Sequence, residues 1–130
     1  MEAESPAGTE PELHILLVED HADTAQAMAA LLNALGHRVT VAGSIAEAMA
    51  AAELAAPIDL VVSDLGLPDG NGQDLMRELI RRYGLRGIAL SGYGMEQDLR
   101  KSREAGFERH LIKPIDAEVF KATIRQVARR

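Results

Sequence analysis

The side chains best suited to chemistry in this chain each follow a short apolar run. Glu19 and Asp20 close "HILLV", Asp64 closes "IDLVVS", Ser91 closes "GIALS" and Lys113 follows "HLI". Asp64 is succeeded by "LGLPDGNG", a loop with three glycines and a proline. Carboxylates gathered within a few ångströms repel one another, so the natural occupant of such a site is a hard divalent cation with oxygen ligands. Taken singly, each residue has a plainer reading. An acid after a strand is most often a helix cap or a solvated loop residue, and a lysine before a proline is most often a surface lysine. Their joint placement argues otherwise: four apolar runs end in a charged or hydroxyl-bearing side chain, while the remaining one ends blandly in "VAGS".

The elements that must bring these residues together follow from hydrophobic periodicity. "HILLV" suits a strand buried on both faces. From Ala22, the positions Ala25, Met28, Ala29, Leu32 and Leu35 recur at helical spacing, and Gly36 supplies the stop. "HRVTVA" is the second strand, and Ser44 with Glu47 forms a capping box that opens the helix "IAEAMAAAELAA". The third strand is "IDLVVS". Beyond the glycine loop a helix from Gln73 to Tyr83 presents Leu75, Met76, Leu79 and Ile80, and "GIALS" is the fourth strand. "MEQDLRKSREAG" is helical but thinly apolar, with Met95, Leu99 and Ala105 to bury. "ERHLIKP" is the fifth strand, in which His110 and Ile112 point one way and Leu111 the other. Asp116 caps a last helix carrying Val119, Phe120, Ile124 and Val127.

Five strands alternating with five helices predict an α/β fold: a doubly wound five-stranded parallel sheet with helices on both faces. The carboxyl ends of its strands converge on one rim, where sites form. Glu19, Asp20, Asp64, Ser91 and Lys113 all belong to that rim.

Length and composition bound the function. The chain has 130 residues, which suits one domain. Residues 1–12, with Pro6, Gly8 and Pro11 among acids, read as a disordered tail or linker, leaving a domain at 13–130. The net charge of −6 argues against this domain gripping nucleic acid directly. No apolar run approaches the ~20 residues of a membrane span, and the acidic N-terminus is unlike a secretion signal, so the expected compartment is the cytoplasm. Without cysteine there is no disulfide, thiolate metal site or thiol nucleophile. His14, His21 and His37 read as solvated, since the histidines show no metal-ligand spacing.

From about Leu13 to Arg129 the chain resembles the receiver domain of two-component response regulators. The matching motifs are "LLVED", "VVSDLGLPDGNG", "ALSGYG" and "HLIKP", each weak alone but specific in this order and at these separations. The resemblance implies the flavodoxin-like receiver fold with strand order 2-1-3-4-5. It implies that Asp64 takes a phosphoryl group from a histidine kinase or histidine phosphotransfer domain and that Glu19, Asp20, Asp64 and the Gly66 carbonyl hold Mg²⁺. It further implies that Ser91 binds a phosphoryl oxygen, that Lys113 pairs with the phosphoryl group and that the bond before Pro114 is cis. A downstream protein partner is expected on the face formed by helix 4, strand 5 and helix 5. Such a receiver catalyses only its own phosphorylation and dephosphorylation and is not an enzyme acting on other substrates.

Four positions depart from the usual pattern. Glu19 stands where aspartate is commoner. Gly66 and Tyr93 occupy sites whose side chains tune loss of the phosphoryl group. His110 stands where the switch residue is usually tyrosine or phenylalanine, so the switch candidates are Ser91, His110 and Tyr93. The alternatives to a phosphorylated receiver are a contact-only pseudo-receiver and a small aspartyl phosphohydrolase. Against the latter, the sequence offers no second acid just beyond Asp64 in the strand-end pattern to serve as a general acid, and no cap domain. "LSGYG", the C-terminal stop and the linker-like start resemble receivers appended to hybrid sensor histidine kinases, with a free-standing regulator as the other expectation.

Overall fold

The computed structural model describes residues 12–54, 57–92 and 96–128. The predicted tail lies outside the described residues except for Glu12, whose carboxylate pairs with Arg38 at 2.9 Å.

Strands β1 (His14–Val18), β2 (Arg38–Ala42), β3 (Leu60–Asp64), β4 (Arg86–Ser91) and β5 (Arg109–Ile112) form one sheet. Its order is β2-β1-β3-β4-β5 and every neighbouring pair is parallel. Helices α1 (Ala22–Ala34), α2 (Ile45–Leu54), α3 (Gly72–Tyr83), α4 (Glu96–Ala105) and α5 (Ala117–Ala128) alternate with the strands. The expected α/β architecture and strand order are therefore those of the structure. Boundaries shift by a residue or two. Strand β3 starts at Leu60, and β5 ends at Ile112, which leaves Lys113 just past the strand. Among the described residues, no helix is long and apolar enough to cross a membrane.

Two-residue alternation divides the core between the faces of the sheet. Leu16, Val18, Val61 and Ala89 join Leu75, Met76 and Leu79 of α3 and Ala105 of α4 on one side. Ile15, Leu17, Leu60, Val62, Ile88 and Leu90 join Met28 and Leu32 of α1 and Phe120, Ile124 and Val127 of α5 on the other. Strands β1 and β3 are buried along their whole length, as a central parallel strand requires. Fully burying such an aliphatic side chain stabilises by about 1.5–3 kcal/mol, so the centre of the sheet is the firmest part of the molecule. The rim built on it inherits that rigidity.

The helix starts are largely those read from the sequence. Ser44 Oγ accepts from the Glu47 N–H and the Asp116 carboxylate accepts from the Val119 N–H. One cap comes from afar: Asp69, in the loop after β3, accepts from the Ile45 and Ala46 N–H groups at 2.8 and 3.0 Å. These bonds hold its carboxyl below the usual range. They also pin the loop beyond Asp64 to α2. Asn71 caps α3 by accepting from the Asp74 N–H.

Two histidines differ from the sequence reading. His14 and His37 are buried, each 5% exposed, rather than solvated. His14 Nε2 meets Thr40 Oγ1 at 2.7 Å across the β1–β2 pair, and Nδ1 lies 3.2 Å from the Pro57 carbonyl. His37 Nδ1 accepts from the Leu13 N–H at 3.1 Å. Each imidazole satisfies polar groups at the strand ends, and so can be buried there.

Gly72 opens α3 against the strand that carries Asp64. A Cβ at this position would overlap the Asp64 carbonyl oxygen and sit 3.1 Å from Leu65 Cα, both backbone atoms that cannot swing aside. Gly72→Ala is expected to lower stability by about 1–3 kcal/mol through forced backbone displacement. Urea unfolding measures this; a midpoint equal to that of the parent protein would refute the tight approach.

Candidate functional site

The carboxyl ends of β1, β3, β4 and β5 surround an open cleft of about 530 Å³, lined by Asp20, Asp64, Gly66, Ser91 and Lys113 among others. Asp64, the last residue of β3, is 8% exposed, and Glu19, just after β1, is 2% exposed. Lys113 reaches back from beyond β5. Its Nζ donates to Asp64 Oδ2 at 2.9 Å and to Glu19 Oε1 at 2.8 Å. Its backbone N–H donates to the Ser91 carbonyl at 2.8 Å, and the Lys113–Pro114 bond is cis. Gly66 is exposed and begins a two-residue antiparallel pairing, Gly66–Leu67 with Gly70–Asn71, that shapes the loop after Asp64. Glu19, Asp20, Asp64, Gly66, Ser91 and Lys113 thus come together on the predicted rim. Tyr93 lies outside the described residues.

The electrostatics follow from this packing. Burial alone pushes the Glu19 carboxyl up, but hydrogen bonds from Lys113 and from the His21 N–H outweigh it and hold the group below its usual range. Burial likewise pulls the Lys113 ammonium down, and the bonds to Glu19 and Asp64 outweigh that and raise it. The contact between Glu19 and Lys113 thus favours the charged form of both.

Two contributors escaped the sequence reading. His21 is exposed, as expected of a solvated residue, yet its Nδ1 lies 3.2 Å from Glu19 Oε2 and 3.5 Å from Asp20 Oδ1. Ligand atoms of Glu19, Asp20, His21 and Asp64 lie within 4.8 Å of one another. This donor set is mainly carboxylate oxygen, with Gly66 lining the same cleft, which suits a hard divalent cation such as Mg²⁺. The second is Ser102 of α4, which is 1% exposed. Its signal was the spacing of Leu99, Ser102 and Ala105, which puts the serine on the one buried stripe of a thinly apolar helix. His110, on the α4 side of β5, lies between Ser91 Oγ and Ser102 Oγ, 2.7 and 2.9 Å from them.

A strand-end carboxylate flanked by acids, a hydroxyl and a lysine at the rim of a 2-1-3-4-5 parallel sheet is the arrangement of the receiver-domain class. The model of the response regulator receiver domain matches residues 15–125, and the chain belongs to that family. It is 36% identical over 108 residues to an uncharacterised 14.6 kDa protein of Leptolyngbya boryana, covering 81% of this chain and 82% of that protein. It is 34% identical over 116 residues to the DNA-binding transcriptional activator DevR/DosR of Mycobacterium tuberculosis, covering 87% of this chain but 53% of the relative. The chain thus spans about half the length of that activator. Among solved structures, the receiver domain of a Pseudomonas aeruginosa sensor histidine kinase, with a magnesium ion coordinated in its active-site cleft, superposes with a TM-score of 0.82 at 26% identity. That match covers 92% of this chain and 99% of the other.

Lys113→Ala leaves the buried Glu19 and Asp64 carboxylates facing each other uncompensated. Because Lys113 keeps 24% of its side-chain exposure, the expected loss near pH 7 is on the order of 2 kcal/mol, below the 3–5 typical of a fully buried pair. Glu19 is depressed in the parent protein, so its contribution is present above the ordinary carboxyl pKa and is lost as the pH falls through the folded value. The difference between parent and variant should therefore shrink on acidification from about pH 7 to pH 3.5, as Glu19 protonates. Urea unfolding in chelator-treated buffer at both pH values checks this; a pH-independent difference would refute the charge network.

Proposed function

We propose that this receiver accepts a phosphoryl group on Asp64 from a phosphohistidine of a histidine kinase or phosphotransfer domain and, so modified, changes its contacts with a partner. The observation that supports the reading best is the Asp64 carboxylate at the mouth of the open cleft, bonded to the Lys113 ammonium and ringed by Glu19 and Asp20.

In the transfer, an Asp64 carboxylate oxygen attacks phosphorus in line with the donor's N–P bond. The O–P bond forms as the N–P bond breaks, and the imidazole leaves with the electron pair. This chemistry asks mainly for positioning and for neutralisation of the phosphoryl oxygens. Lys113 supplies a fixed positive charge at Asp64, and Ser91 supplies a hydroxyl donor from the end of β4. Glu19, anchored by His21 and Lys113, keeps the ammonium in place. Asp20, Asp64 and the Gly66 carbonyl, with Glu19 behind them, would hold Mg²⁺, which when bound adds positive charge beside the phosphoryl oxygens.

On this reading the chain is a signalling module and not an enzyme with turnover on other substrates. Its output passes through the face of α4, β5 and α5, where the edge strand and last helix leave Ile112 and Val119 43% and 50% exposed. The compartment that fits is the cytoplasm, where kinase domains reside. The similarity to a sensor kinase's receiver supports a hybrid-kinase setting, and the match to a 14.6 kDa protein supports a free-standing regulator.

Incubation with acetyl phosphate and Mg²⁺, read by intact mass, is expected to give one phosphoryl adduct on the parent protein and none on Asp64→Asn. Turnover of the donor without an adduct would favour a phosphohydrolase, and no reaction a contact-only module. Asp20→Ala removes an anionic oxygen that must compete with the cation's hydration, so Mg²⁺ affinity should fall about tenfold or more. Equal affinity by titration would remove Asp20 from the metal site.

A further inference from the structure

Behind Ser91, on the side of the sheet covered by α4, three polar side chains form a hydrogen-bonded file. Ser91 Oγ lies 2.7 Å from His110 Nε2, and His110 Nδ1 lies 2.9 Å from Ser102 Oγ. The Ser102 hydroxyl in turn donates to the Leu99 carbonyl at 3.1 Å.

Proton counting gives this file a direction. A carbonyl oxygen only accepts, so the single Ser102 proton points to Leu99 and Ser102 Oγ accepts from His110 Nδ1–H. In a neutral imidazole one nitrogen donates and the other accepts, so Nε2 is bare and its short contact takes the one proton of Ser91. Burial favours the neutral ring, pushing its pKa below the ordinary value against a smaller upward pull from Asp98. Among the described residues, the other charged groups lining that side are Arg103 of α4, Glu108 just before β5 and Arg109 at its start. Strand β4 faces the ring with Ala89 and Ser91, and the cleft beyond Ser91 holds Asp64 and Lys113.

We propose that Ser102 is a positioning residue for the acceptor site. Acting through His110, it fixes the Nδ1–H tautomer and so withholds the Ser91 proton from a phosphoryl oxygen on Asp64 until the Ser91–His110 bond breaks or His110 is protonated. The inference rests on Asp64 being the phosphoacceptor. When Ser91 turns to a phosphoryl oxygen, a neutral Nε2 loses its donor, and an unpaired buried acceptor is costly. When His110 takes a proton from solvent, Nε2–H donates to Ser91 Oγ, and the Ser91 proton no longer points to the ring. Phosphoryl binding and protonation of His110 are therefore coupled, and by reciprocity each favours the other. In the free protein burial holds the His110 pKa below its ordinary value, so binding should strengthen on acidification.

The first test reads the tautomer in the unphosphorylated chain, from the imidazole nitrogen chemical shifts of His110 at about pH 8, where the ring is neutral. Nδ1–H is expected in the parent protein and a shift towards Nε2–H in Ser102→Ala. The second titrates beryllofluoride, a phosphoryl mimic, with Mg²⁺ into the parent, Ser102→Ala, His110→Phe and the double variant. At about pH 8, Ser102→Ala should bind about three- to tenfold tighter than the parent, the worth of one freed hydrogen bond, whereas loss of a merely structural serine would weaken binding. In the His110→Phe background Ser102→Ala should have no effect, and His110→Phe should lack the acid-side gain seen in the parent. An Nε2–H tautomer in the parent, or equal binding by the parent and Ser102→Ala, would overturn this inference alone. Absence of any binding by the parent would overturn the phosphoacceptor reading and this inference with it.

Discussion

The structure depends on one ammonium group. A parallel sheet delivers the ends of all its strands to the same rim, and this chain ends two of them in carboxylates that are almost wholly buried, Glu19 and Asp64. Like charges so placed would force the strands apart or force a proton onto one of them. Lys113 Nζ, within 2.9 Å of both, resolves the conflict. Its backbone N–H is at the same time bonded to the end of β4. A single residue therefore ties the ends of β1, β3 and β4 to the segment after β5. A lysine suits the role because its compact charge sits on a flexible stem that crosses the width of the cleft.

Around that tie the molecule is unequal. The side of the sheet under α1 and α5 is closed by Phe120, Ile124, Val127 and Leu32, and the buried Thr123 hydroxyl there donates within its own helix to the Val119 carbonyl. The other side carries a polar file between elements, from Ser91 through His110 to Ser102. Helix α4 buries Ala105 and Ser102 and little else, whereas α3 buries Leu75, Met76 and Leu79. Few apolar contacts make local opening cheap, so α4 is the element most easily repositioned by a change at Ser91. The rigid half of the fold holds Asp64, and the loosely held half lies behind Ser91.

The loop after β3 belongs to the rigid half, despite its glycines. Asp69 is spent on capping α2 and Asn71 on capping α3, while Gly72 lets the start of α3 press against the Asp64 backbone. Asp64 is thus clamped from both flanking helices. The freedom left in the site lies in side chains that can exchange partners, Ser91 above all.

The alternation of apolar runs and helical stripes in the sequence was enough to determine the strand and helix order, the parallel sheet and the residues at its rim, because burial on two faces and the 3.6-residue period leave little choice of element. The acidic pair, Asp64, Ser91 and Lys113 were legible for the same reason: each ends an element whose direction is forced. What only the tertiary structure decided is which side chains meet across elements. His14 and His37 read as solvated, yet each finds a polar partner from a distant segment and is buried. Asp69, in the glycine loop after Asp64, caps a helix that starts 24 residues earlier. Ser102 lies in a helix that reads as thinly apolar and closes the file behind the cleft that holds Asp64. Hydrogen bonds between residues far apart in the chain leave no periodic trace, since they depend on the relative placement of packed elements and not on the local pattern that builds each one.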